Sequence, residues 1–269
     1  MNIYQYFYCF TGIVKREILR FFQQRSRLLS ALVRPLLWLV VFAAGFRAAL
    51  GVAIMEPYGT YITYQQYITP GLCCMIVLFN GMQSSLSMVY DREMGSMKVL
   101  LMSPLPRPFL LLSKLIATAL LSLLQVYLFL LLARLVDVDI DMAGYFAAAP
   151  AVFLIAFFLG SLGLMLSNLI KQLENFAGVM NFVIFPMFFL SSALYPLWKM
   201  QEASLWLYWI CDYNPFSYCV ELLRFALYQQ MNVTAFWVVF GSTIFASLFA
   251  LFSFSPQRGS KVTAMKSKK

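Results

Sequence analysis

Long apolar runs alternate with short polar breaks along the whole chain. Six runs match the roughly 20 residues that a helix needs to cross a bilayer: about 28–50, 67–89, 109–135, 146–170, 176–195 and 233–254. The predicted fold class is all-α and integral to a membrane, with six transmembrane helices. Residues 1–27 precede the spans, 28–254 form the six-span domain, and 255–269 form a basic tail. Arg34-Pro35 sits near the start of the first span, where proline is tolerated and Arg34 can snorkel to the surface. The second span carries Asn80, Gln83, Ser84, Ser85 and Ser87, which must face protein or a cavity because lipid offers no partner. Gly160 and Gly163 predict close helix approach in the fourth span. Asn181 and Pro186 interrupt the fifth.

The polar breaks have patterns of their own. Arg16, Arg20, Gln23 and Arg27 form one stripe opposite Ile13, Val14, Ile18, Phe21 and Phe22. That is an interfacial amphipathic helix with its basic face towards headgroups; the plainer reading is a basic leader that sets topology. The segment YDREMGSMKVLLMSPLPRP, Tyr90 to Pro108, separates spans two and three. Asp91 to Met102 can form about three helical turns, with Met94, Met97 and Leu101 on one face. Asp91 and Glu93 then fall in the first turn, favoured by the dipole. Pro104, Pro106 and Pro108 stop the helix and stiffen the segment. Such an element suits a handle that another protein can push; the alternative is an ordinary hydrophilic loop. Residues 197–230 mix Trp198, Trp206 and Trp209 with Lys199, Glu202, Asp212 and Asn214, too polar for a plain span. Short re-entrant helices at the membrane boundary fit better.

Composition narrows the class. The 269 residues are 62% hydrophobic and 12% charged, with mean hydropathy +0.77, against about 25% charged in soluble domains. The net charge of +9 lies at the edges of apolar runs rather than in a patch for nucleic acid. With six spans, all basic residues except Arg47, Arg134, Lys199 and Arg224 fall on the side of the termini, which makes that side cytoplasmic. The first ten residues lack the positive start and small-residue site of a cleavable signal peptide.

Histidine is absent, which removes His-based metal sites and general bases. Asp137, Asp139 and Asp141 alternate in one loop, readable as a calcium site or as solvated charges. Cys211 and Cys219 could meet at a helix end, and a disulfide there is left open. No phosphate loop and no serine-elbow motif occur, so no catalytic residue and no cofactor are assigned to this chain. Mid-membrane carboxylates of the kind that mark proton relays are missing too. The spans offer the amides Asn80, Gln83, Gln125 and Asn181, either bonded between helices or touching a substrate.

A charged handle on a membrane unit with no energy source suggests a transporter subunit driven from outside. The loop strengthens this, because it resembles the charged loop of type-2 ABC exporter membrane subunits, the drug, polysaccharide and Nod-factor permeases. Glu93, Gly95, Leu100, Ser103, Pro104 and Arg107 match that family's E-x-G-T-x-E-x-L-x-x-T-P pattern and the basic residue after it, with Ser96 for threonine and Lys98 for an acid. Asn181, Pro186, Ser191, Tyr195, Pro196, Asn214, Pro215, Tyr218 and Arg224 match its fifth span and external segment.

The resemblance implies a homodimer in an inner, plasma-type membrane with both termini cytoplasmic. It implies a partner ATP-binding subunit that holds ATP and Mg. Asp91, Arg92, Glu93, Met94, Gly95, Met97, Leu101, Pro104 and Arg107 would dock on that subunit, with Arg16, Arg20 and Arg27 on the interfacial helix. Tyr195, Pro196, Asn214, Pro215, Tyr218 and Arg224 would belong to re-entrant helices. Asn80, Gln83 and Asn181 would line the substrate path. A membrane scaffold that recruits an ATPase without transport, or a secondary transporter, is the alternative.

Overall fold

The computed structural model describes residues 3–23, 32–41, 57, 62–95, 102, 105–136, 138, 140–170 and 172–253. The described residues are helical almost throughout: α1 Ile3–Gln23, α2 Leu32–Val41, α3 Tyr64–Glu93, α4 Arg107–Ala133, α5 Met142–Leu169, α6 Leu173–Phe189, α7 Leu197–Ala203, α8 Leu205–Tyr213, α9 Pro215–Leu227 and α10 Val233–Ser253. Among them four helices are long and apolar enough to cross a membrane: α3, α4 with its 3-10 extension to Val136, α5 and α10. The helices α2 and α6 are shorter apolar elements. Of the predicted first span, 28–31 and 42–50 lie outside the described residues, as do Arg27, Met97, Leu101, Pro104, Asp137, Asp139 and the tail.

The hub is α5, which packs against α3, α4, α9 and α10. Its small residues allow the close approach. A Cβ on Gly163 would lie 2.5 Å from Ser85 Oγ and 3.0 Å from the Gly81 carbonyl. Small residues at helix crossings give van der Waals contact, which is what drives association where burial from water is not available. The core around this hub holds Tyr67, Leu72, Leu78, Met82, Val126, Phe129, Val152, Ile155 and Leu159. The outward faces of α6 and α10 remain bare, with Phe182, Phe185, Trp237, Phe245 and Phe252 exposed. In a bilayer these faces meet lipid or another chain.

Three predicted boundaries are corrected. Asp91, Arg92 and Glu93 form the last turn of α3, not the first turn of a separate helix. Once out of the apolar layer the backbone ladder continues, because nothing breaks it until Gly95 takes φ +76. Pro106 caps the start of α4, with Pro108 in its first turn. Those prolines therefore begin the next helix rather than end the previous one. The fifth apolar helix stops at Phe189, and residues 190–195 turn away before α7.

Candidate functional site

The loop end of α3 splits its charges into an inward and an outward set. Arg92 Nη1 donates to the Ser167 carbonyl at 2.9 Å and its Nη2 to Asn168 Oδ1 at 3.4 Å. It thus caps the C-terminal end of α5, where a cation complements the dipole. Asp91 is buried and accepts from Arg20 Nη1 at 3.3 Å on both oxygens. By contrast Glu93, Met94, Met102 and Arg107 are exposed. Of the residues expected to dock, Asp91 and Arg92 are therefore engaged within the chain, and Glu93, Met94 and Arg107 are available. Gly95 is half-buried at the turn.

Helix α1 lies along α4, with Tyr6 edge-on to Phe109 at 5.2 Å. Its basic stripe does not simply face headgroups. Arg20 turns inward to Asp91, and Glu17 beside it is buried. Burial alone would raise the Glu17 carboxyl, but Lys114, Arg16 and Arg20 outweigh it and hold it below the usual carboxylate range. Lys114, also buried, donates from Nζ to Ser87 Oγ at 3.3 Å. Glu17, Arg20, Asp91 and Lys114 thus tie α1, α3 and α4 together where the charged loop begins. Sequence reading missed Glu17 and Lys114. The available signal was a single carboxylate inside a basic stripe and a lysine two turns inside an apolar helix.

Above this joint runs a polar ladder between α3 and α4. Ser84 Oγ bonds Thr118 Oγ1 at 2.8 Å, and Asn80 Nδ2 donates to Ser122 Oγ at 2.8 Å and to the Thr118 carbonyl at 3.2 Å. Asn80 is therefore engaged between helices α3 and α4. Gln83 lies one face over. It lines a cavity of about 590 Å³ with Arg20, Ser87 and Tyr90 on one side and Leu173 and Glu174 of α6 on the other. Asn181 lies further along α6 on its exposed face. The cavity is half polar and half apolar, and it opens beside the joint.

At the opposite end of α3 the expected re-entrant residues gather as three short helices. Pro196 caps α7. Asn214 caps α9, its Oδ1 accepting from the Phe216 amide at 3.0 Å. Its Nδ2 donates to the Met187 and Leu190 carbonyls at the end of α6. Tyr195 and Tyr218 are half-buried, and Pro215 occupies the first turn of α9. Arg224 is fully buried against Tyr67 of α3. Cys211 and Cys219 are both free thiols. No group of three His, Cys, Asp or Glu among the described residues is placed to hold a metal ion.

Four helices of membrane-spanning length, an amphipathic helix tied to the charged end of one of them and a cavity between apolar helices define a membrane-embedded helical protein. Residues 8–228 match the family described as ABC-2 type transporter, and the chain belongs to that family. Its relatives include proteins named as transport permeases (ycf38). That of Cyanophora paradoxa is 27% identical over 242 residues, covering 89% of this chain and 79% of its own. That of Porphyra purpurea is 28% identical over 217 residues, covering 80% and 72%. The chain is thus a membrane-embedded transport permease subunit rather than an enzyme.

Proposed function

We propose that this chain forms the membrane path of an ATP-driven exporter, as a homodimer with a separate subunit that binds ATP and Mg. Six spans put both termini on the cytoplasmic side of an inner, plasma-type membrane. The observation that carries the reading is the joint below α3: an exposed Glu93–Met94 end and an exposed Arg107 start flank a charged loop, and α1 is fastened to the same point through Arg20 and Asp91. Closing of the ATP-binding subunits moves this loop, and α1, α3 and α4 move with it. The loop shifts the equilibrium only because it contacts the two nucleotide states differently.

The substrate is lipophilic, amphipathic or glycan-type. It enters between α3 and α6, past Gln83, in a cavity that offers polar and apolar walls together. The bare face of α6, with Asn181, Phe182 and Phe185, continues from that cavity and supports a path along the dimer interface.

Co-purification tests the reading. The tagged chain is expressed with the ATP-binding subunit encoded nearest to it and solubilised in mild detergent. Stable association is expected, and Glu93→Lys with Met97→Asp should abolish it while the chain remains folded. A folded chain that associates with no ATP-binding subunit would overturn the proposal.

A further inference from the structure

Arg224 is 0% exposed, although it belongs to the polar segment between the fifth and sixth apolar helices. Burying a guanidinium is costly, and an apolar side chain would fill the space at less cost. What the guanidinium adds is a fixed plane with several donors. Its Nη2 donates to the Ser192 carbonyl at 2.9 Å, its Nη1 pairs with Glu221, and its carbon sits 4.1 Å from the centre of the Tyr67 ring.

The same carbonyl of Ser192 accepts from the Tyr67 hydroxyl at 3.1 Å, and the Leu194 carbonyl accepts from Tyr64 at 2.8 Å. From the other side the Ser192 amide donates to Ser217 Oγ at 3.2 Å. The turn 190–195 is therefore gripped between α3 and α9. The backbone of α3 lies directly on it, because a Cβ at Gly71 would stand 2.5 Å from the Ala193 carbonyl oxygen.

We propose that Arg224 is a positioning residue of the transport cycle: it clamps the turn 190–195 to α3, so that α3, this turn and α9 move as one body. The proposal rests on reading the chain as an ATP-driven permease. From Gly71, which lies on the turn, to Glu93, α3 makes a rod of roughly 35 Å, with the charged loop at one end and this clamp, beside the internal Pro70, at the other. Displacement received at Glu93 then arrives at the turn without being absorbed in between.

Amide hydrogen exchange tests this on the full chain in lipid nanodiscs, alone and with its ATP-binding subunit, nucleotide-free and ATP-trapped. The reported segment is 190–195, with α5 as internal reference. The native turn should exchange slowly and equally in both nucleotide states. In Arg224→Met its exchange should rise about tenfold or more, α5 should be unchanged, and the turn should become nucleotide-dependent. Arg224→Lys, which keeps the charge but not the fork, should restore part of the protection. Tyr67→Phe, which loses only one hydroxyl, should raise exchange by roughly threefold and carries the test if Arg224→Met does not fold.

Unchanged exchange of the turn in Arg224→Met, or in Tyr67→Phe where that variant carries the test, overturns the proposal. So does a rise shared equally by α5, or a native turn whose protection changes with nucleotide. If no ATP-binding subunit associates, the permease reading fails on its own, and exchange in the chain alone still decides the clamp.

Discussion

The two ends of α3 are both held by an arginine, and they are held differently. At the loop end Arg20 reaches from a separate helix to Asp91, and its side chain keeps 27% of its exposure. Neighbouring charges on Glu17 and Lys114 share the work. At the other end Arg224 is fully buried, bonded to a backbone carbonyl and packed on an aromatic ring. A pair that water can reach is worth little and can be exchanged for hydration. A buried guanidinium has no such alternative, so breaking it leaves an uncompensated charge. The contrast teaches that the loop end is an adjustable joint and the far end a fixed one. In the proposed cycle the first would answer to a partner and the second would transmit.

Substitutions can break that contrast, and their effects should descend in order. Gly71→Val places a branched side chain against the Ala193 backbone, which cannot give way. A loss of about 3 kcal/mol is expected, read as a clear drop in the apparent melting temperature of the detergent-solubilised protein. Arg20→Ala leaves the buried Asp91 without its partly exposed partner and should cost about 1–2 kcal/mol. Its melting temperature should fall less than that of Gly71→Val, while protease access to α1 rises. A cost as large as that of Gly71→Val would contradict the view that this joint is adjustable.

The smallest effect is a pH dependence. The Glu17 carboxyl is held below the usual range, so the folded state prefers it ionised. Its contribution is complete above the unfolded carboxylate value and is lost as pH falls through the lower folded value. An environment-sensitive probe on Cys9, the one half-buried thiol among buried ones, should report loosening of α1 in that acid window. In Glu17→Gln this pH response should be absent.

Much of this architecture was legible from hydropathy alone. The runs read as 67–89, 109–135, 146–170 and 233–254 correspond to α3, α4, α5 and α10 within a few residues, because an unbroken apolar run in lipid has no alternative to helix. The capping box that starts α3, Thr63 with Gln66, went unread in the sequence. What hydropathy could not show is where helices outlast the apolar layer. Asp91 to Glu93 read as the first turn of a separate helix because they are charged, yet hydrogen bonding along the backbone does not depend on polarity, and they continue α3. The pairing of Arg20 with Asp91, and the burial of Glu17 with Lys114, join residues far apart in the chain. No local pattern specifies such contacts. Arg224 showed its place in a motif but not its burial, which depends on Tyr67 of α3.

Asn214 has a consequence for the order in which the chain is made. When α6 emerges during synthesis, the carbonyls of Met187 and Leu190 lack the donors that finish the helix end. Their partner is still more than twenty residues from being polymerised. Within a bilayer no water stands in for it at low cost. The last turn of α6 therefore matures late, when the start of α9 arrives and one side chain closes two helix ends at once. A chain halted between residues 190 and 213 holds an unfinished fifth helix, and the quality-control machinery of the cell would meet it as one.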